Sequence, residues 1–314
     1  MAKIVYRKAG RKALHPIVIA GAVIVFGGAL LNLVWPKRTQ IELENRSPAK
    51  FPSFSVASLE KGNWQQSFSN WFQDQFMLRD QWINAQRATD EIVFQKVEED
   101  GILLGKDHWM FTKLFTINTT TQKQLAKNVQ AVAEFAGRYP GKVSFLLVPS
   151  ASAIYPENLP VGAPMVDENA MLDSIFAEIG ETADVLDLRD TFTANKEEYL
   201  YFKTDHHWTP YGAYLAYQQF CTLKGLTPFD LAAHESETIE DFQGTHYSAT
   251  RLWNVENDFI TYYPIDNLMT VFNVPAEAQF EEIKTENLIN TEKFSTRDKY
   301  AAFLDGNNGY SVIE

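Results

Sequence analysis

Residues 142–149, KVSFLLVP, read as an apolar run, unbroken from Phe145 to Val148. A strand of that kind needs cover on both faces, the situation of a parallel sheet flanked by helices. The neighbouring sequence fits that demand. The spacing predicts a helix over 167–181 and a second apolar strand over ADVLDL, 183–188, giving a βαβ-like alternation. Upstream, Leu125, Val129, Val132, Phe135 and Ala136 recur at helical spacing across 121–138. Ligands of open parallel sheets bind beyond the carboxyl ends of the strands, here Pro149–Tyr155 and Asp187–Asp190.

Residues 16–35, PIVIAGAVIVFGGALLNLVW, are uncharged and about as long as a bilayer crossing requires. The formal charge of the 314 residues is −12, yet residues 1–12 carry five Lys or Arg and no acid, so the remainder carries −17. Basic residues ahead of an apolar run are expected to stay in the cytoplasm. The reading is a basic cytoplasmic tail (1–14), an uncleaved transmembrane signal anchor (15–35), and an extracytoplasmic bulk. The acidic remainder as a whole is a poor match for nucleic acid or anionic lipid, and no nucleic-acid partner is expected. Cys221 is the single cysteine, so no intrachain disulfide forms, and its place among helical apolar residues marks a buried thiol.

A linker and amphipathic helical region is expected over 36–100. Within it Trp64, Phe68, Trp71, Phe72 and Phe76 recur at three- and four-residue spacing, a stripe read as core packing, with a membrane-surface or sugar-stacking role as the alternative. Residues 101–111 read as two short strands around a turn at 105–107. Short strands and irregular structure are expected over 239–263, and an exposed acidic insertion over 274–290.

The stretch KTDHHWTPYG, 203–212, carries the chemistry. Thr209 can cap a helix and Pro210 suits its first turn, which pins Asp205, His206, His207 and Trp208 in a loop at a helix start. A carboxylate two residues before an imidazole can fix its tautomer and leave the other nitrogen as a base. Asp205 with both histidines could instead ligate zinc or manganese, although adjacent histidines tend to diverge. A third reading makes Asp205 a turn residue and the histidines loop surface.

In the form YFKTDHHWTPYGAY, the loop resembles the signature of the DHHW protein family, which is similar to the alginate O-acetyltransferases of the SGNH-hydrolase-like superfamily. Looser likenesses occur in order: NRSPAKFPSF at 45–54, WFQDQFMLRDQWI at 71–83, LLGKDHWMF at 103–111, LLVPSASAIYPENLP at 146–160, FQGTHYSATRL at 242–252 and FLDGNNGYSVI at 303–313. The resemblance implies an α/β fold over 101–314, a flavodoxin-like, SGNH-hydrolase-like sandwich. It implies Asp205 orienting His207 as general base, with Trp208 and His206 near substrate. The implied chemistry is acyl transfer or ester hydrolysis on cell-surface polysaccharide through a serine nucleophile, with no metal or organic cofactor. An acyl donor or a partner membrane acyltransferase would supply the acyl group.

The family serine follows the Asp-His pair, as Gly-Asp-Ser or Asp-Ser at the end of a later strand. No such sequence lies between Trp208 and Glu314, and Ser311 reads as a strand residue. The domain is therefore expected to be C-terminally incomplete. Ser150 and Ser152, at the end of the 142–149 strand, are the internal substitutes. Lys106, His108 and His246 read as solvated turn residues, with substrate contact as the alternative. A non-catalytic, membrane-anchored module that binds glycan or a partner enzyme is the competing function.

Overall fold

A computed structural model describes residues 15–265, 267–273 and 281–313. The basic tail at 1–14 and residues 274–280 of the expected acidic insertion lie outside them. The chain forms two compact units, Met1–Ile41 with Arg46–Ile83, and Glu42–Asn45 with Asn84–Glu314.

The first unit begins with α1, Pro16–Val34, a helix long and apolar enough to cross a membrane. The region expected to be amphipathic and helical holds three helices, α2 (Val56–Glu60), α3 (Asn63–Asp74) and α4 (Arg79–Ile92). The breaks fall where the backbone turns left-handed, at Gly62 (φ 76°) and Leu78 (φ 55°). Buried Asp74 takes both guanidinium arms of Arg46, at 2.6 and 2.9 Å, and the Ala49 N–H at 2.8 Å. These bonds outweigh burial and hold its carboxyl below the ordinary value.

The aromatic stripe is only partly core: Trp64, Phe68, Trp71 and Phe76 are half-buried and Phe72 is exposed. Trp64 stacks on Phe68 (5.2 Å), Phe68 on Phe72 (6.2 Å), and Phe72 packs against Phe76 (5.5 Å). Phe51, Phe54, Phe72 and Trp82 nevertheless stay exposed. Short helices enclose too little volume here: among the described residues of this unit, only Ile41 is a fully buried apolar side chain. The rings therefore cover one another as a surface ladder.

The second unit opens on a small antiparallel sheet, β1 (Glu98–Glu99), β2 (Ile102–Leu104) and β3 (Met110–Thr112), its last two strands joined through a tight turn at Lys106–His108. Next comes α5, Thr119–Gly137, capped by the Asn118 side chain accepting the Thr121 N–H at 2.9 Å. β4 (Ser144–Leu147), α6 (Ala151–Ile154), α7 (Glu168–Ile179), β5 (Asp184–Asp187) and α8 (Arg189–Ala194) follow. β4 and β5 pair in parallel from Ser144↔Asp184 to Leu147↔Asp187, the βαβ unit expected from the sequence.

Alternate side chains of β4 serve opposite faces. Phe145 and Leu147 join Val129, Ile175 and Ile179 under α5 and α7; Leu146 packs on the cluster of Leu188, Phe192, Leu200, Tyr201 and Leu215. All four β4 residues are only half-buried, less than the apolar run suggested. Both faces are covered, but the parallel sheet has two strands among the described residues, so each strand is an edge. Phe192, wholly buried, touches both Tyr201 and Trp208 beneath the DHHW loop. Phe192→Ala is expected to cost about 3–5 kcal/mol in chemical denaturation; a loss below about 1 kcal/mol would show this cluster to be dispensable.

The remaining elements are α9 (Pro210–Lys224), β6 (Glu237–Phe242), α10 (Thr245–Thr250), β7 (Asp258–Tyr262), β8 (Leu268–Asn273), β9 (Glu281–Asn287) and β10 (Tyr310–Ile313). β6 pairs with β7, and β8 lies between β9 and β10. Residues 281–287, expected within an exposed insertion, are thus a strand; an acidic sequence suits an edge position that must not recruit further strands. Ser311 is a strand residue opposite Val271. Cys221 is buried in α9, as its spacing predicts.

Candidate active site

The loop ahead of α9 is closed like a hairpin. Tyr201 and Trp208 form an antiparallel bridge, and the Thr209 N–H donates to the Leu200 carbonyl at 2.8 Å. The Thr209 hydroxyl caps α9 by accepting from the Gly212 N–H at 3.2 Å. Gly212 sits so close to the loop that a Cβ there would lie 2.6 Å from the Leu200 oxygen. Any larger residue would prise the loop off its helix.

Asp258, from β7, holds the other side. Its carboxylate accepts from the N–H groups of Lys203 (2.9 Å) and Thr204 (2.7 Å), the Thr204 hydroxyl (2.6 Å) and the Tyr199 hydroxyl. Burial raises the Asp258 pKa despite these bonds. The Thr204 hydroxyl in turn accepts the Gly244 N–H at 2.9 Å, just ahead of α10. A Cβ on Gly244 would stand 2.2 Å from the Asp205 side chain, so only glycine permits this approach.

Asp205 is wholly enclosed. One oxygen accepts the His207 N–H (2.9 Å) and Nδ1–H (2.6 Å), and the other accepts the Thr245 N–H at 2.7 Å. Burial pushes the Asp205 pKa up, and the bonds from His207 and Thr245 more than reverse it, leaving the carboxylate below its ordinary value. The hydrogen bond with Asp205 raises the His207 pKa against partial burial. His206 moves the opposite way: burial lowers its pKa, and its Nδ1 lies 2.7 Å from the Thr245 hydroxyl.

The two imidazoles do not diverge, contrary to the tendency of adjacent histidines; their centroids are 3.8 Å apart. They nevertheless line different clefts. His207 opens, with Trp208, Pro210, Tyr300 and Phe303, onto a cleft of ≈ 830 Å³. His206 opens onto one of ≈ 400 Å³ with Ser150, Ser152, Glu168 and His246. Ser150 Oγ donates to Glu168 Oε2 at 2.5 Å and lies 2.8 Å from Ser152 Oγ. Neither internal serine shares the His207 cleft. Ligand atoms of Asp205, His206 and His207 fall within 4.8 Å of one another, close enough to hold an ion. Their Nδ1 atoms, however, are engaged with Thr245 and Asp205.

His246 is not a solvated turn residue. It is buried, its Nε2 is 3.0 Å from the Thr112 hydroxyl, and burial lowers its pKa to about 4. Lys106 and His108 lie away from both clefts, Lys106 donating to the Glu157 carbonyl at 2.7 Å. Of the two strand ends expected at the site, that of β4 arrives, through the Tyr201 hydroxyl donating to the Pro149 carbonyl. The end of β5 arrives beneath the loop, where Leu188 packs in the cluster with Tyr201 and Trp208, while Asp187 is held by Arg189 and lines neither cleft. Sequence reading missed Asp258, Glu168 and Thr245. Only Thr245 had a signal, inside FQGTHYSATRL.

The βαβ core carries a buried Asp hydrogen-bonded to a half-exposed His at a helix start, within an SGNH-hydrolase-like domain. The chain belongs to the family of the SGNH hydrolase-like domain of acetyltransferase AlgX, whose family model matches residues 102–279. Among named relatives, the probable alginate O-acetylase AlgJ of Pseudomonas syringae pv. tomato is 26% identical over 180 residues, covering 55% of this chain and 46% of that protein. That of Pseudomonas aeruginosa is 23% identical over 274 residues, covering 84% and 64%. The chain thus spans about half to two-thirds of the length of the curated relatives it matches. Two solved structures share the fold. A DHHW family protein from Eubacterium siraeum superposes with a TM-score of 0.53 at 24% identity, covering 69% of this chain and 72% of that one. Bacillus cereus PatB1, carrying a sulfonyl adduct, does so with 0.52 at 18%, covering 70% and 74%.

Proposed function

We propose that this chain is a membrane-anchored, extracytoplasmic O-acyltransferase or esterase acting on cell-surface polysaccharide, with Asp205 and His207 as its acid–base pair. The observation that carries the reading is the 2.6 Å bond between buried Asp205 and His207 Nδ1, with His207 lining a cleft large enough for a sugar unit. In this chemistry a serine hydroxyl, which is not identified among the described residues, gives its proton to His207 Nε2 as it attacks the acyl carbonyl, and Asp205 stabilises the imidazolium that forms. His207 then returns the proton to the leaving group, and the acyl-enzyme passes its acyl group to a glycan hydroxyl or to water. The name alginate O-acetylase given to the relatives supports a polysaccharide acceptor. Trp208 and His206 would line the approach of substrate, and α1 would anchor residues 36–314 outside the membrane, with residues 1–14 in the cytoplasm.

The test is acetyl transfer from an activated acetyl ester to oligosaccharides, read by mass spectrometry in the parent protein and in His207→Ala. The competing reading, a non-catalytic glycan-binding module, draws on Ser150 being bonded to Glu168 and lying outside the His207 cleft. Glycan binding without turnover in either protein would establish it.

A pH dependence follows. Catalysis needs neutral His207, and its pKa is raised above 6.5, so activity is expected to climb through a midpoint above that value. Stability moves oppositely. The charged imidazole stabilises the fold below the unfolded pKa, and this contribution is lost as pH rises through the raised one. Asp205, lowered from 3.8, stabilises above that value, and its contribution is lost as pH falls through the lowered one. Chemical-shift titration of His207 checks the direction; a midpoint at or below 6.5 would contradict it.

A further inference from the structure

The first unit bears a feature that its anchor alone does not require. As a membrane span, α1 with its 19 residues is about 28 Å long, close to the hydrocarbon thickness of a bilayer. Asn32 lies two residues before its end, about 3 Å along the axis. That side chain is buried, and its oxygen accepts the Met77 N–H at 2.7 Å. The Lys37 ammonium donates to the Asn32 carbonyl at 3.0 Å. The Arg38 peptide exchanges two hydrogen bonds with the Gln75 amide, at 2.7 and 3.0 Å, and the Arg38 guanidinium meets Asp80 at 2.8 Å. The turn between α3 and α4 is therefore tied to the level at which α1 leaves the apolar layer.

What the turn displays there is apolar. Leu78 holds a left-handed backbone, φ 55°, a strained conformation for a branched apolar residue, with its side chain 40% exposed. One helical turn on, Trp82, whose N–H donates to the Leu78 carbonyl at 3.1 Å, is 57% exposed. Charge points the same way. Residues 35–41 and 46–83 carry six Lys or Arg against three acids, although the whole chain is at −12. Tryptophan at headgroup depth and basic side chains over anionic lipid are the two groups a bilayer surface favours.

We propose that this unit rests on the surface of an anionic phospholipid bilayer, with Leu78 and Trp82 at the boundary between headgroups and acyl chains. The proposal rests on α1 being a membrane span. Single-cysteine variants of the full chain, Val25→Cys in α1, Leu78→Cys, Trp82→Cys and Val161→Cys, carry an environment-sensitive fluorophore. Cys221 is buried and does not compete for label. Val161, 95% exposed in the second unit, is the reference. The proteins are reconstituted into phosphatidylcholine–phosphatidylglycerol vesicles containing a nitroxide-bearing lipid. Emission at positions 78 and 82 is expected to fall to an extent comparable with position 25, while position 161 holds its intensity. Quenching at 25, with 78 and 82 behaving like 161, overturns the surface contact and leaves the anchor standing. Absence of quenching at 25 overturns both.

Discussion

His207→Ala is expected to lower acetyl transfer and ester hydrolysis by about 10²–10⁴-fold, the usual worth of a positioned general base. Asp205→Asn should fall about as far, because the amide presents the wrong partner to Nδ1 and leaves the reactive nitrogen in the wrong tautomer. The raised pKa of His207 should drop towards the ordinary imidazole value in that variant, which a purely structural role for Asp205 would not predict. His206→Ala should be mild, since His206 bonds Thr245 and lines the other cleft. A metal-centred reaction predicts a different set: His206→Ala and His207→Ala equally severe, and activity abolished by a chelator. Rates of the three variants with and without chelator separate the two chemistries.

Asp258→Ala is expected to cost as much stability as emptying the core beneath the loop. It strands the N–H groups of Lys203 and Thr204, and the Tyr199 and Thr204 hydroxyls lose their acceptor. Each buried donor left unpaired costs about 1–3 kcal/mol. The sum, discounted for relaxation, is on the order of 3–5 kcal/mol. Asp258→Asn keeps one oxygen but turns an NH₂ towards some of those donors, so it should recover only part of the loss. Amide exchange at Lys203 and Thr204 should quicken in both variants, and by more than that of α5. Uniform acceleration across the domain, or none at all, would refute a local positioning role.

Much of the domain is legible in the amino-acid sequence, and the reason is locality. The run at 142–149, the helix after it and the strand at 183–188 each carry their pattern within a few residues. So does the Thr209–Pro210 start of α9, which locates the Asp-His loop. The misreadings share the opposite cause. Trp64 to Phe76 has the spacing of a buried face, but spacing does not say whether anything is available to bury it. Residues 281–287 look like solvent-exposed chain, and only pairing with β8 makes them a strand. His246 resembles a loop residue until α10 is packed against β3. Asp258 is one of many acids, singled out only by the two amides it meets.

Those two amides also set a timetable. Lys203 and Thr204 find their acceptor 55 and 54 positions later in the chain, and Asp205 finds the Thr245 N–H 40 positions later. Each such contact carries a loop-closure cost, as does the parallel pairing of Ser144 with Asp184, so what separates them is the order in which the partners leave the ribosome. A polypeptide emerging in order therefore has its parallel strand pair, and even α9, before it has Asp258. The hairpin closure of the loop and the Asp205–His207 bond are local, and only the bonds of Lys203 and Thr204 to Asp258 wait for β7. Asp258 is thus the last of these partners to be synthesised, and a chain cut short before β7 would keep the hairpin while leaving the Lys203 and Thr204 N–H groups without this acceptor.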